Sequence, residues 1–311
     1  MPLPKPTLSS LQQVADFAAT TKLGRLLKSP LLFPYAAVFR TFIYSRTNRP
    51  IIRKARLFYG GDLWVPLPAS TDIFIGGGKT HDSEIRLAAY MIRTLQPGQA
   101  VLDIGAHCGY FSRLAADLVG AKGRVFSFEP SDLAHSVLAR NAENYSQQKI
   151  FKQVLSDAPG EMTFYEFPGK FAEYSTMDVA QFEQEAWYAQ NPPKIHRMQA
   201  TSIDQLIKEQ GVAFDFIKID AEGAEGKVIA GGKDFFRAQA PAVAVEYLSD
   251  DRGNDGHRQA AALLQSWGYA AYLPDETGSL FPVADIAKYL AEKGLESDNV
   301  IFKKAGVSDA S

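Results

Sequence analysis

A short stretch of the chain, VLDIGAHCGYFS at residues 101–112, combines an acid, two glycines and a histidine directly after an apolar run. Gly105 permits a sharp turn and a close approach of a ligand to the backbone, and Gly109 begins a helix whose first amides point toward that turn. A dinucleotide-binding turn would read G-x-G-x-x-G, whereas this one reads D-x-G-x-x-x-G. Because Asp103 suits a cation better than a phosphate, the spacing favours a positively charged ligand.

A second acid ends the next predicted strand. In RVFSFEP, Glu129 lies 24 residues after Gly105, where an acid can accept hydrogen bonds from both hydroxyls of a ribose. Together the two acids fit an adenosine that carries a positively charged amino acid, which describes S-adenosylmethionine. In the alternative interpretation, Asp103 and Glu129 are surface or helix-capping acids.

From residue 82 onward, predicted strands alternate with predicted helices. The strands are expected at 100–104, 124–128, 150–155, 214–220 and 242–248. Such alternation indicates an α/β fold with a doubly wound, mostly parallel sheet covered by helices on both faces. Before it, short helices within 8–29 and a β-hairpin around Gly60-Gly61 are expected. We therefore predict an N-terminal extension of helices plus a hairpin over residues 1–80 and a catalytic domain over 81–311.

Two further segments make the pattern resemble a known family. DFIKIDAEGAEGKVIAGG at 215–232 resembles the signature of FkbM-type S-adenosylmethionine-dependent methyltransferases. VLDIGAHCGYFS, FEP and LSDAPGEMTFY at 155–165 match the same family in the same order. The resemblance covers about residues 80–304. It implies a Rossmann-like class I methyltransferase fold and methyl transfer to oxygen, on a sugar, glycan or other small-molecule or lipid-linked metabolite.

The resemblance also assigns a set of residues to the cofactor. These are Asp103, Gly105, His107, Gly109, Glu129, Ser156 and Asp157. Within this set, Asp157 would accept a hydrogen bond from the adenine amine, or else only form a turn before Pro159-Gly160. His107 would contact the carboxylate of the cofactor or point to solvent.

Carboxylates gather where the fourth and fifth strands of the predicted sheet end. Lys218 and Asp220 share one face of a strand, and Glu222 and Glu225 follow at the start of a helix, where acids also complement the helix dipole. With Glu246, they would either raise the pKa of one member into the range of a general base or bind a divalent cation.

We predict three catalytic residues at this edge. Asp220 or Glu222 is the base or metal contact, and Lys218 is an orienting, charge-balancing partner. A Mg²⁺ site formed by Asp220, Glu222 and Glu246 is the metal alternative.

An unusually long interruption at 167–200, rich in aromatic and polar residues, is typical of a substrate lid. The candidates for acceptor binding are Tyr174, Ser175, Trp187, His196, Arg197 and Glu246. Arg197 would pair with a phosphate or carboxylate on the acceptor. In the alternative, Phe182, Trp187 and Tyr188 pack as one amphipathic helix on the body.

Charge is distributed unevenly along the chain. The formal net charge is -2, yet residues 1–61 contain ten basic residues and one acid, net +9, which leaves -11 for the remainder. The basic segment either docks on the acidic body or contacts an anionic membrane or substrate. No nucleic-acid-binding motif is found, so nucleic acid is not an expected partner.

Cysteine content and apolar segments bear on the location of the protein. The single cysteine, Cys108, excludes an internal disulfide framework and a CxxC-type zinc site. No signal peptide or transmembrane segment is predicted, so we expect a cytoplasmic protein that is peripheral at the membrane if its basic segment binds lipid. The sequence leaves the oligomeric state open.

Two other functions are weighed against methyl transfer. One is an NAD(P)-dependent oxidoreductase on a Rossmann-like sheet, against which Asp103 and the absent third glycine argue. The other is a non-catalytic module that binds the cofactor, against which the intact glycines, Glu129 and the clustered carboxylates argue.

Overall fold

The computed structural model describes residues 5–168, 171, 175–177, 179, 182–183, 185–252 and 254–304. The helices are α1 Leu8–Ala18, α2 Lys22–Lys28, α3 Leu32–Val38, α4 Ser45–Thr47, α5 Thr71–Gly76, α6 Asp82–Thr94, α7 Tyr110–Val119, α8 Asp132–Ala142, α9 Ile203–Gln210, α10 Glu225–Ala230, α11 Lys233–Ala238, α12 Asp255–Ser266 and α13 Ile286–Lys293. The strands are β1 Ile51–Arg56, β2 Asp62–Leu67, β3 Ala100–Ile104, β4 Arg124–Phe128, β5 Gln148–Phe151, β6 Val154–Leu155, β7 Gly160–Glu166, β8 Lys194–Thr201, β9 Phe216–Ile219, β10 Ala242–Leu248, β11 Tyr269–Pro274, β12 Leu280–Pro282 and β13 Ser297–Lys304.

A central sheet organises the described residues. Its eight strands run in the order β12-β11-β13-β10-β9-β3-β4-β5. The strands from β10 to β5 are parallel, and β13 is antiparallel to β10. The predicted α/β class with a doubly wound, mostly parallel sheet is therefore confirmed. Because the chain progresses outward in opposite directions from β3 and β9, a crevice opens at the carboxyl ends of these two strands.

Helices cover both faces of this sheet, and the strands are apolar on both sides. On one face, Val101 and Val125 pack against α6 and α7. On the other face, Leu102, Ile217 and Val245 pack against α10, α11 and α12. Burial on both faces fits the nearly continuous apolar runs of the parallel strands.

The N-terminal extension contributes to the same core. The hairpin at Gly60-Gly61 is present, although its loop spans residues 57–61, since Arg56 pairs with Asp62. From β2, Leu63 and Val65 are fully buried in the cluster that contains α6 and α7. The division of the chain near residue 80 remains a prediction.

Short helices precede the hairpin. Helix α1 begins after the N-cap Thr7, whose side chain accepts from the Ser10 amide, and it packs on α6. Helix α3 continues through a π-helical turn, Phe39–Tyr44, into α4. Among the described residues, none of the helices has both the length and the apolar character needed to cross a membrane.

A second, three-stranded sheet with the order β6-β8-β7 supports the long insertion. The predicted irregular segment 167–200 in fact ends in β8, which pairs along its length with β7. The predicted strand 150–155 is also divided, because the chain leaves the central sheet after Phe151 and β6 pairs with β8 instead. The insertion therefore emerges from a β-hairpin beside the main sheet.

Asn141 on α8 joins the extension to the body. Its side chain accepts from the Trp64 amide and donates to the carbonyl oxygens of Trp64 and Cys108, each at 2.8 Å. We expect Asn141→Ala to lower the free energy of unfolding by about 1–3 kcal/mol, because it leaves buried backbone groups unpaired. Urea denaturation measures this, with the exposed Asn144→Ala as the matched control. Equal stability of the two variants would contradict the role of Asn141.

Candidate active site

A cavity of about 880 Å³ opens at the carboxyl ends of β3, β4, β9 and β10. Its position is the crevice that the strand order creates. Of the residues predicted for the site, those that line the cavity are Gly105, His107, Glu129, Ser175, Trp187, Asp220, Glu222 and Glu246. The structure thus brings residues from five separate segments of the chain to one place.

The turn after β3 forms one wall of the cavity. Gly105 has φ +75°, and a Cβ atom at this position would lie 1.8 Å from the carbonyl oxygen of Asp220. Only glycine fits, because the backbones at the ends of β3 and β9 come into direct contact. Gly109, at φ +87°, then begins α7 but does not line the cavity within the described part of the chain.

Glu129 links the end of β4 to this turn. Its two carboxylate oxygens accept from the backbone amides of His107 and Ser131, each at 2.8 Å. Burial raises the pKa of Glu129, while these amides act in the opposite direction. The Ser131 side chain is a third hydrogen-bond partner of this carboxylate. Since a carboxylate has about four lone-pair sites, Glu129 retains capacity for a hydroxyl donor from a ligand.

His107 lies within the turn in a left-handed conformation, at φ +49°. The sequence left a cofactor contact and a solvent-facing orientation open, and the structure places the residue in the wall of the cavity. Burial, followed by the charge of Lys79, lowers the pKa of His107 to about 4. The imidazole is therefore neutral near neutral pH.

The position of the Asp103 side chain differs from the predicted contact with the cofactor. Within the described residues it does not line the cavity, because its side chain lies on the face of β3 that packs against α7. One carboxylate oxygen accepts from the Ser112 hydroxyl at 2.5 Å, and the other lies 3.9 Å from Nζ of Lys218. The Asp103 side chain therefore points away from the cavity, and it stabilises the site through its contacts with Ser112 and Lys218.

Lys218 and two carboxylates form the charged centre of the site. Nζ of Lys218 lies 3.1 Å from Oδ2 of Asp220 and is buried. Burial alone would raise the pKa of Asp220, but the ammonium group outweighs it and lowers that pKa. Burial, followed by the charge of Asp220, raises the pKa of Glu246 to about 8. At neutral pH, Asp220 is therefore ionised and Glu246 carries a proton.

Four carboxylates were expected to converge at this edge, and the structure contradicts the expectation for Glu225. Glu222 lines the cavity, with φ +49°. Glu225 is fully buried beneath the site, where Oε1 accepts from the Ala221 amide at 2.7 Å and Oε2 lies 3.4 Å from Nδ1 of His257. As the first residue of α10, it faces inward.

The Mg²⁺ alternative at this edge is not supported. Among the described residues, the carboxylates of Asp220, Glu222 and Glu246 do not form a group of ligand atoms within 4.8 Å of one another. The Lys218 ammonium also occupies the inner side of Asp220. The ligand atoms of Asp132, Glu166 and His196 do lie within 4.8 Å of one another. Two lysines, however, already form ion pairs with Asp132.

Four other predicted site residues do not line the cavity in the described part of the chain: Ser156, Asp157, His196 and Arg197. Ser156 is buried and its hydroxyl donates to the exposed Asp157. His196 contacts Glu166, and Arg197 forms an exposed ion pair with Glu161. His196 and Arg197 lie on β8 of the second sheet. The chain directly before Ser156 lines the cavity, so a contact of Ser156 and Asp157 with the cofactor stays a prediction. Tyr174 lies outside the described residues.

The insertion contributes an aromatic cluster to the cavity. Trp187 stacks on Phe171, with ring centroids 4.2 Å apart, and contacts Phe167 and Phe182 edge-on or tilted. The expected amphipathic helix is not present here, since the described residues from 182 to 190 form turns. Trp187 and Phe182 both line the cavity.

Sequence reasoning missed a wall formed by the end of the N-terminal extension and the start of α6. Lys79, His81 and Glu84 line the cavity, and Nζ of Lys79 lies 2.8 Å from Oε1 of Glu84. Burial would lower the pKa of Lys79, but the carboxylates of Glu84 and Asp72 raise it. The only sequence signal was the run GGGKTH at 76–81, in which Gly78 packs closely against the Tyr110 hydroxyl at the start of α7.

Comparison with known proteins identifies matches to one kind of domain. A family model described as the methyltransferase FkbM domain matches residues 103–271. The 2-O-methyltransferase NoeI of Sinorhizobium fredii is 25% identical over 201 residues, covering 61% of this chain and 80% of that protein. The 31-O-demethyl-FK506 methyltransferase FkbM of Streptomyces tacrolimicus is 26% identical over 220 residues, covering 64% of this chain and 82% of that protein.

Two further matches cover a smaller share of the matched protein. The AMB antimetabolite synthetase AmbE of Pseudomonas aeruginosa is 29% identical over 201 residues, which span 54% of this chain but only 9% of that protein. Among solved structures, the methyltransferase FkbM of Methylobacillus flagellatus is similar with a TM-score of 0.41 and 13% identity, covering 76% of this chain and 55% of that chain.

Proposed function

The chain belongs to the FkbM methyltransferase domain family, and on this premise we propose that it transfers the methyl group of S-adenosylmethionine to a hydroxyl oxygen of a sugar-like acceptor. The observation that carries the proposal is one cavity that contains both the turn with Glu129 and the Asp220–Glu246 pair. Two of the matched relatives are named as O-methyltransferases, which supports oxygen as the methylated atom.

The residues around the turn fit the cofactor. Glu129 retains an acceptor position for a ribose hydroxyl, and Gly105 lines the cavity beside it. The backbone of His107 is fixed by its bond to Glu129. When bound, S-adenosylmethionine supplies an electrophilic methyl group on a positively charged sulfur, and the acidic cavity favours that charge.

The two carboxylates beside Lys218 orient the acceptor hydroxyl and remove its proton. Asp220, kept ionised by the ammonium group, accepts a hydrogen bond from the acceptor hydroxyl and orients it. Glu246, whose pKa is raised, takes the proton from that hydroxyl when it is itself ionised. Lys218 stays protonated throughout, because Asp220 and Asp103 raise its pKa against the effect of burial.

The charge of the cavity narrows the class of acceptor. Its acidic side chains are Glu84, Glu129, Glu185, Asp220, Glu222, Glu246, Asp251 and Glu296. The cations in its wall, Lys79 and Arg252, are paired with Glu84 and Glu296. A phosphate or carboxylate on the acceptor would be repelled, whereas hydroxyl or ammonium groups would find hydrogen-bond acceptors. The aromatic cluster at Trp187 suits the apolar face of a sugar ring.

The proposed function is tested by methyl transfer from radiolabelled S-adenosylmethionine to a panel of acceptors. The panel contains a neutral glycoside, an amino sugar and a sugar phosphate with the same ring. We expect kcat/KM for the first two to exceed that for the phosphate by about tenfold or more, because like charges repel in the cavity. Preference for the phosphate would contradict the acceptor class. Failure to bind S-adenosylhomocysteine would contradict the function itself.

Glu129 is expected to determine cofactor affinity. We expect Glu129→Gln to weaken binding of S-adenosylhomocysteine by about 1–3 kcal/mol, since it removes a charged acceptor of ribose hydrogen bonds. Isothermal titration measures the affinity, and Glu161→Gln, at an exposed carboxylate, serves as the control. Unchanged affinity in Glu129→Gln would remove this residue from the cofactor site.

The raised pKa of Glu246 predicts a pH profile. Below about 8, Glu246 is protonated and does not accept a proton, so kcat/KM should rise with pH and level off above that value. Glu246→Gln should lower kcat by about 100-fold or more and abolish this rise, whereas Glu292→Gln on the exposed face of α13 should change neither. A wild-type profile that levels off well below neutrality would exclude Glu246 as the base.

A further inference from the structure

Exposed apolar side chains are concentrated in one part of the N-terminal extension. Of the eleven large hydrophobic side chains that are exposed among the described residues, eight lie between residues 23 and 43. They are Leu23, Leu27, Leu31, Leu32, Tyr35, Val38, Phe42 and Ile43. Single exposed hydrophobic residues are ordinary, but a concentration of this kind marks an interaction surface. We refer to these eight residues as the apolar patch.

Helical spacing shows that the apolar patch is a second apolar face. Leu31, Tyr35, Val38 and Phe42 recur at intervals of four, three and four residues along α3 and the π-helical turn. This is the spacing of a continuous helical stripe. The opposite stripe, with Ala36, Phe39 and Tyr44, is buried against the body of the protein. The segment is therefore apolar on two faces, of which only one packs within the chain.

Cations border the apolar patch without acidic partners. Within the described residues, the nitrogen atoms of Lys22, Arg40, Arg46 and Arg49 have no carboxylate oxygen within 4.0 Å, and all four residues are exposed. The arrangement differs from that on β1, where Lys54 and Arg56 both contact Asp62. Charge that is not compensated within the chain is available to an anionic partner.

A groove extends the apolar patch. It has a volume of about 390 Å³ and is lined by Pro34, Tyr35, Val38, Phe39, Ile43, Ile51 and Arg53. The Arg53 guanidinium donates to the Tyr35 hydroxyl at 2.8 Å. The wall is apolar apart from this polar pair, which is the combination that an acyl chain and its phosphate-bearing headgroup require.

From these features we propose that the apolar patch and its bordering cations dock on the surface of an anionic lipid bilayer. The helical stripe lies in the interface plane with its apolar side chains among the acyl chains, and the cations contact lipid phosphates and carboxylates. A free metabolite would not cover eight apolar side chains spread along two helices.

A second copy of the chain fits less well than a bilayer. A twofold interface through the apolar patch would bring the same surface of each copy together and would therefore place segments of charge +9 against each other. A head-to-tail interface would need another apolar surface, yet the other exposed large hydrophobic residues that the structure describes, Leu133, Ile195 and Phe281, are single. An anionic bilayer satisfies both the apolar and the charged parts.

The test is co-flotation of the full chain with phosphatidylcholine vesicles that contain or lack phosphatidylserine. We expect binding to the vesicles with phosphatidylserine, at least about tenfold weaker binding to phosphatidylcholine alone, and weakening as salt is raised from about 0.1 M to 1 M. Equal binding to both vesicles, or binding to neither, would overturn the proposal.

Two sets of variants test the apolar and charged parts separately. The triple variant Leu27→Ser, Leu31→Ser, Phe42→Ser should lower the partition coefficient by about tenfold or more, whereas Ile195→Ser, at a side chain as exposed as Leu23, should not. The pair Arg40→Gln, Arg46→Gln should also weaken binding, whereas the exposed pair Lys122→Gln, Arg124→Gln should not.

Folding and oligomeric state are measured for the same variants. All of them are exposed substitutions, so circular dichroism should show unchanged folding. Light scattering of the wild type and the triple variant tests the alternative in which the apolar patch is an interface between two copies of the chain. If the wild type is a dimer, if the triple variant is a monomer and if neither floats with vesicles, the apolar patch is an interface between copies and the proposal is wrong.

Discussion

The ammonium group of Lys218, held between two carboxylates inside the sheet, is the interaction on which the rest of the site depends. A buried ammonium is costly without such partners, and here Nζ lies 3.1 Å from Asp220 and 3.9 Å from Asp103. Asp103 is in turn bonded to Ser112 in the first turn of α7. The same charge thus joins α7 to the edge that carries Asp220 and keeps Asp220 ionised. Burial and the negative charge of Asp220 in turn raise the pKa of Glu246.

Features that follow from local rules could be predicted from the sequence. Gly105 was identified because a sharp turn after a buried strand requires its conformation, and Glu129, Asp220 and Glu246 because residues at the carboxyl ends of parallel strands meet at one edge. Family membership favours methyl transfer over the oxidoreductase alternative. The presence of a complete carboxylate pair in the cavity counts against a module that only binds the cofactor.

Features that depend on tertiary packing could not be predicted in this way. Asp103 has the right spacing for a ligand contact, but the pleat of β3 turns its side chain toward α7. Lys79 lies close enough to His107 to lower the pKa of that imidazole, a proximity that no local pattern reveals. The position of Ser156 and Asp157 also depends on tertiary packing, because the chain leaves the central sheet after Phe151 and the strand before them, β6, pairs with β8.

A hydrogen bond joins the insertion to the edge of the site, from Oγ1 of Thr176 to the backbone oxygen of Glu222, at 2.7 Å. Its supporting sheet has its own small apolar cluster, with Val154, Phe164 and Ala200, separate from the two clusters that flank the central sheet. The stability of the central sheet is therefore largely independent of the insertion's sequence. If the proposed function holds, acceptor preference is consequently free to diverge among descendants of this chain by replacement of the insertion, while the residues proposed to bind the cofactor and remove the proton are inherited unchanged.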